Sequence, residues 1–112
     1  MIETYSFGKM IVKGKKYSSD LIIFPDRINS SWWRVSGHKL SMEDLKEVFE
    51  EKPEVLVVGT GAAGMMKVDE EVRHYAVENG ITLIVEKTKN AVKSFNQNFK
   101  KKKTVGAFHL TC

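Results

Sequence analysis

A glycine-rich loop follows a short apolar strand in the middle of the chain. Residues 55–66 read VLVVGTGAAGMM, and Gly59, Gly61 and Gly64 have the G-x-G-x-x-G spacing of dinucleotide-binding proteins. In those proteins the glycines let the backbone approach a pyrophosphate, which binds at the start of the next helix. Glu86 follows at the end of the next predicted strand, where an acidic residue would bind the ribose. The spacing therefore raises the hypothesis of a nicotinamide or flavin site.

Three features argue against a dinucleotide at this loop. Helical periodicity begins only near Asp69, after an extended segment at 65–68, so no helix starts within the motif. The first turn would carry Asp69-Glu70-Glu71, whose carboxylates repel phosphate from the positive end of the helix. Only one further strand–helix–strand unit follows, which is too little for a full dinucleotide-binding fold. We therefore expect no cofactor, and interpret Gly59-Thr60-Gly61 either as a structural turn or as a strand-end ligand contact.

His109 and Cys112 lie near the end of the last predicted strand. A thiol beside an imidazole could provide a thiolate nucleophile. In a regular strand, however, these two side chains point to opposite faces, and no third residue is recognisable that would orient His109. We therefore favour a packed strand end over a catalytic pair.

A second candidate surface is the pair Trp33 and Arg34. Because neighbouring residues of a strand face opposite ways, we expect one of Trp32 and Trp33 in the core and the other outside. An exposed tryptophan beside an arginine is typical of the contact hot spots of protein–protein interfaces. The alternative, in which both indoles are half-buried, stays open at this stage.

Composition places the chain among ordinary small domains, and we treat residues 1–112 as a single one. The one cysteine cannot form an internal disulfide or a cysteine-based zinc cluster, so we expect a cytoplasmic protein without a metal. No apolar run is long enough to cross a membrane.

The net charge of +4 comes from the second half, where seven lysines and no acid lie in the range from Lys87 to Lys103. We interpret Lys100–Lys103 as a solvated helix end and expect no specific nucleic-acid binding.

The elements that position these residues can be predicted from periodicity. The first part is strand-rich, with runs around Met10–Val12 and Leu21–Phe24 and a third short strand in SSWWRVSG. Helices are predicted after Ser41, Asp69 and Thr88, each of which is a suitable N-cap. They alternate with the apolar strands VLVV, ITLIVE and TVGAFHLT, which gives a β-α-β-α-β second half. We predict an α/β fold with a β-rich N-terminal layer around a mixed sheet.

Four short motifs occur along the chain in the order WWR, VLVVGTG, AVKSFN and GAFHLTC. This order resembles the MTH-nine-three-eight-like domain family, a group of unknown function, over residues 7–112. The family includes the adipogenesis-associated protein and a mitochondrial complex I assembly factor. The resemblance implies a three-layer fold around a mixed central sheet and no settled biochemical activity.

We therefore expect a non-catalytic binding or assembly module that acts through protein partners. The contact residues that we expect are Gly59, Thr60, Gly61, Trp33, Arg34, His109 and Cys112. The alternative is a small-ligand-binding protein or enzyme that uses the Gly59-Thr60-Gly61 loop. The sequence is also compatible with a homo-oligomer.

Overall fold

The computed structural model describes all 112 residues, Met1 to Cys112. It contains ten short strands and three α-helices. The strands are β1 Ile2–Ser6, β2 Lys9–Val12, β3 Lys15–Tyr17, β4 Leu21–Ile23, β5 Ile28–Asn29, β6 Lys39–Leu40, β7 Val55–Thr60, β8 Lys67–Val68, β9 Thr82–Glu86 and β10 Thr104–His109. The helices are α1 Lys46–Glu50, which follows a 3-10 turn at Glu43–Leu45, α2 Glu70–Glu78 and α3 Thr88–Phe99.

A five-stranded mixed sheet in the order β5-β4-β10-β7-β9 is the centre of the molecule. Strands β10, β7 and β9 run parallel, whereas β4 lies antiparallel to β10 and β5 lies antiparallel to β4. The β7-α2-β9-α3-β10 succession confirms the predicted β-α-β-α-β second half. Because β7 and β10 are parallel, the glycine loop after β7 and the end of β10 lie at the same edge of the sheet.

Each face of the central sheet carries its own hydrophobic core. Strand β7 shows why, since its alternate residues point to opposite faces. Leu56 and Val58 join the core beneath α1 and α2, while Val55 and Val57 join the core beneath α3. All four side chains are fully buried, as expected for a strand covered on both faces.

The N-terminal layer is a separate antiparallel sheet, β1-β2-β3. It packs on the α3 side of the central sheet, where Met10 and Val12 share a core with Phe95. Asn96 of α3 fixes its position, because the side-chain amide donates to the Ile2 carbonyl (2.9 Å) and accepts from the Ile2 N–H (3.0 Å). The predicted β-rich N-terminal layer is thus confirmed as a layer of its own.

The predicted strand in SSWWRVSG is wrong. Residues 31–35 have no regular structure, and the short strand of this region is β5, which precedes them. The reason is that their N–H groups are satisfied without a strand ladder: Ser31 donates to the Asn29 side chain, Trp32 to the Asp20 carbonyl and Val35 to Asp44 Oδ1. None of the three helices has both the length and the apolar character needed to cross a membrane.

Replacing Asn96 with alanine tests the attachment of the N-terminal sheet. Two buried backbone groups of Ile2 would lose their partner, so we expect the free energy of unfolding to fall by about 2 kcal/mol. The neighbouring Gln97 is exposed, and Gln97→Ala serves as the control, with a change below about 0.5 kcal/mol. Urea denaturation of both variants measures the difference. Equal stabilities of the two variants would contradict the assignment.

Candidate functional site

The glycine loop after β7 is bonded to the last residues of the chain. The N–H of Ala62 donates to the Thr111 carbonyl (2.6 Å), and the N–H of Met65 donates to the Cys112 carbonyl (3.0 Å). The N–H of Gly64 closes a turn onto the carbonyl of Gly61 (3.3 Å). These amides would have to face a pyrophosphate in a dinucleotide site. Here they satisfy carbonyl groups of the chain itself.

Gly61 lies in the most crowded position of this loop. Its φ of +105° is a conformation that side-chain-bearing residues rarely adopt. A Cβ added there would overlap the Cys112 carbonyl carbon and lie 2.9 Å from His109 Cδ2. The glycine is therefore needed so that the loop can pass directly against the end of β10.

Thr88, which lies two residues after β9, links the loop to β10. Its hydroxyl accepts a hydrogen bond from the Gly61 N–H (2.9 Å) and donates one to the His109 carbonyl (2.7 Å). We expected Thr88 to cap α3, but Lys87 is the residue at that position and Thr88 lies within the first turn. The hydroxyl is engaged by the loop and by β10, and so it makes no cap hydrogen bond.

A buried polar cluster of Asp20, Arg34 and His109 lies beside the end of β10. Asp20 Oδ2 accepts from Arg34 Nη1 (2.6 Å) and lies 2.8 Å from His109 Nδ1, while Asp20 Oδ1 accepts from the Leu110 N–H (2.8 Å). Only 6% of the Arg34 side chain and 8% of the His109 side chain are exposed. Asp20 precedes β4, so this one carboxylate joins the start of β4, the end of β10 and the segment before β6.

The charge of Asp20 is stabilised by its neighbours. Burial by itself raises the pKa of the carboxyl, because the charged form loses contact with water. The hydrogen bonds from His109, from the Leu110 N–H and from Arg34 outweigh this effect and lower the pKa below its usual value. Asp20 is therefore a permanent anion at neutral pH.

His109 is held in place through Nδ1, on one side of its ring. Nδ1 lies near both Asp20 Oδ2 and Arg34 Nη2 (3.1 Å), and the shorter distance to the carboxylate favours an Nδ1–H that donates to Asp20. Nε2 is then an unprotonated nitrogen that is buried and has no hydrogen-bond partner. The thiol of Cys112 is exposed and makes no hydrogen bond to it. The two residues do not form a nucleophile–base pair.

Among the sequence-derived contact candidates, five are inside the protein and two are outside. Gly59, Thr60, Gly61, Arg34 and His109 are buried or nearly so, and they hold the strand ends together. Cys112 is exposed, and 78% of Trp33 is exposed, while Trp32 is buried against the core. The expected division of the two tryptophans is thus what the structure shows. Sequence reasoning missed Asp20, because no local pattern connects it to His109 at a separation of 89 residues.

Further exposed apolar residues flank the same end of β10. Phe7 precedes Gly8, whose N–H donates to the Leu110 carbonyl (2.8 Å), and Met65 is bonded to Cys112. We call Phe7, Trp33, Met65 and Cys112 the strand-end surface. The backbone at Gly8, next to Phe7, and at Met65 is hydrogen-bonded to segment 110–112.

A family model described as a protein of unknown function (DUF498/DUF598) matches residues 2–110 of the chain. This match confirms the resemblance on which the fold prediction depends. The description of this family names no activity.

Three solved structures share the fold. The conserved hypothetical protein PH1505 from Pyrococcus horikoshii OT3 is 31% identical, with a TM-score of 0.90 over 100% of this chain and 99% of that one. MT938 is 24% identical, with a TM-score of 0.81 over 100% and 98% of the two chains. A protein from Bartonella henselae, described as an outer membrane protein, is also 24% identical, with a TM-score of 0.81 over 99% and 94%. The last two likenesses concern the fold alone.

Substituting alanine for Gly61 separates crowding from backbone strain. Gly14 also has positive φ (+77°) but has open space around it, so Gly14→Ala is a matched control. We expect Gly14→Ala to cost about 1 kcal/mol, and Gly61→Ala to cost at least about 2 kcal/mol more because its Cβ displaces Cys112. Chemical denaturation gives both values. Similar losses in the two variants would show that the close approach of Cys112 contributes nothing.

Replacing Asp20 with asparagine tests the buried cluster. The charge on Arg34 would lose its partner, and we expect a loss of about 2–4 kcal/mol at neutral pH. Since the folded-state pKa of Asp20 is lowered, its contribution is present above the unfolded-state pKa and is lost as pH falls through the folded-state value. The stability gap between wild type and Asp20→Asn should therefore narrow at about pH 3.

Urea denaturation at about pH 7 and pH 3 measures this gap. Asp26 is exposed and pairs with Arg27, so Asp26→Asn is the control, with an expected loss below about 1 kcal/mol. A gap for Asp20→Asn that is the same at both pH values would contradict a charge-dependent role.

Proposed function

This chain belongs to the family of proteins of unknown function DUF498/DUF598, and we propose that it is a non-catalytic binding or assembly module that acts through protein partners. The observation that carries the proposal is the exposed indole of Trp33, of which 78% is accessible. Tryptophan is among the residues that contribute most to protein–protein affinity. A large exposed apolar side chain of this kind is more typical of a contact surface than of a reaction centre.

The rest of the strand-end surface supports the same function. Phe7 and Met65 are exposed near the end of β10, and each lies in or next to a backbone hydrogen bond to segment 110–112. Because this backbone is already ordered, a partner would lose little conformational freedom on binding to it. Arg34 contributes indirectly, since its guanidinium is held inside by Asp20 and faces the ring of Trp32 at 5.0 Å.

The alternative, a ligand-binding protein or enzyme that uses the Gly59-Thr60-Gly61 loop, has weaker support. The loop amides of Ala62 and Met65 are bonded to Thr111 and Cys112, and Gly61 has no space for a ligand. We propose a cytoplasmic location, with which a single cysteine and no intrachain disulfide are compatible.

A quantitative pulldown tests the proposal. Tagged protein is incubated with lysate of its source, and captured proteins are compared between wild type, Trp33→Ala and Val77→Ala. Val77 is as exposed as Trp33 (81%) but lies on α2, away from the strand-end surface. We expect Trp33→Ala to capture specific partners at least about tenfold less, because hot-spot tryptophans contribute about 2 kcal/mol or more to the free energy of binding. Capture of every partner at the wild-type level with Trp33→Ala, or equal losses with Trp33→Ala and Val77→Ala, would contradict it.

A further inference from the structure

A concave surface lies between α1 and α2, at residues that the proposed function does not use. One cleft of about 480 Å³ is lined by Met42, Phe49 and Tyr75 together with Glu43, Lys46 and Glu50. A second cleft of about 400 Å³ shares Met42 and Tyr75 and continues along α2. Because the two clefts meet at Tyr75, they form one continuous surface, which we call the α1–α2 groove.

The floor of the groove is apolar and firmly packed. The rings of Phe49 and Tyr75 are 4.3 Å apart between centroids. Met42 and Tyr75 are half-buried and rest on the core under α1 and α2. The floor therefore offers a preformed contact for an apolar side chain without a large rearrangement.

The rim of the groove is acidic, in contrast to the net charge of +4 of the chain. The floor is surrounded by one exposed lysine, Lys46, and by five exposed glutamates: Glu43, Glu50, Glu70, Glu71 and Glu78. None of them has a lysine or arginine partner, and Glu70 alone lies near a histidine, His74, at 3.9 Å. The glutamates on the other side of α1 differ, since Glu47 and Glu51 are paired with Arg27. The rim charges are thus free to interact with a partner.

We propose that the α1–α2 groove binds a basic amphipathic segment of a partner protein. An apolar side chain of the segment packs on Met42, Phe49 and Tyr75, and flanking lysines or arginines pair with the rim glutamates. Segments of partner proteins commonly bind by packing an apolar face into a groove between helices. The acidic rim favours a segment with basic side chains. This surface shares no residue with the strand-end surface and is independent of it.

Two other occupants fit less well. No group of three or more potential ligands could hold a metal ion, so the glutamates do not form a cation site. A second copy of the chain could offer Lys100–Lys103, but the neighbouring Phe95 and Phe99 pack inward and leave no apolar anchor beside those lysines. A partner segment that combines both features is needed.

Fluorescence anisotropy of the full chain tests this proposal. The probe is a short labelled peptide with leucines at helical spacing and lysines at the other positions, compared with a peptide that has glutamates in place of the lysines. At about 0.15 M salt we expect the basic peptide to bind in the micromolar range and the acidic one at least about tenfold more weakly. Equal binding of the two peptides, or no binding of the basic one below about 1 mM, would overturn the proposal.

Matched variants locate the binding on the protein. Combining Glu50→Gln, Glu71→Gln and Glu78→Gln should weaken the basic peptide about tenfold or more, with far-ultraviolet circular dichroism unchanged because these side chains are exposed. The control combines Glu3→Gln, Asp26→Asn and Glu54→Gln, which change the net charge equally on other surfaces. An equal loss in both triple variants would show general charge attraction and overturn the assignment.

A third variant separates this groove from the strand-end surface. Trp33→Ala should bind the basic peptide like wild type, whatever its effect on pulldown partners. Loss of peptide binding in Trp33→Ala would contradict a separate site. Self-association that the groove variant abolishes, observed by analytical ultracentrifugation, would assign the groove to a second copy and also overturn the proposal.

Discussion

The glycine loop donates its amides to the carbonyl groups of Thr111 and Cys112, and the edge of the sheet is organised around this pairing. It requires a backbone without a side chain at Gly61, because a Cβ there would occupy the position of Cys112. Thr88 extends the pairing to α3 by bonding Gly61 and His109 with one hydroxyl. The segment that follows β10 is thereby bonded to the loop.

The same pairing explains how a dinucleotide-like spacing arises without a dinucleotide-like environment. In a cofactor site, glycines bring loop amides close to a phosphate. In this chain they bring the loop close to a neighbouring segment, and α2 begins only at Glu70 with acidic residues in its first turn. Both cases require the loop backbone to approach another group closely. In this chain that group is the backbone of Thr111 and Cys112, whereas in a cofactor site it is the phosphate.

Much of this architecture could be predicted from the sequence, because the relevant signals are local. The apolar strand at Val55, the start of α2 after Asp69 and the alternation of strands and helices follow from periodicity and first-turn chemistry. The partners of Asp20 and Thr88 could not be predicted, since each contacts residues that lie far away in the chain. The predicted strand at residues 31–35 is wrong for a related reason, because the side chains of Asn29 and Asp44 accept hydrogen bonds from its amides and regular pairing is unnecessary.

The candidate contact residues show the same division. The prediction of one buried and one exposed indole agrees with the structure, although the strand alternation on which it rested is absent at residues 31–35. The burial of Arg34 depends on Asp20, and the α1–α2 groove depends on the distance between two helices that are joined through β7. Neither has a signature in a short stretch of sequence.

Amide hydrogen exchange at the glycine loop is the most direct measurement of the central claim. NMR of the free protein should find the N–H groups of Gly61, Ala62 and Met65 protected, because each donates to a group of the chain itself. Addition of nicotinamide or flavin dinucleotides should leave their exchange rates unchanged. Rapid exchange in the free protein that becomes slow with a dinucleotide would show that these amides are a ligand site, and would contradict the account.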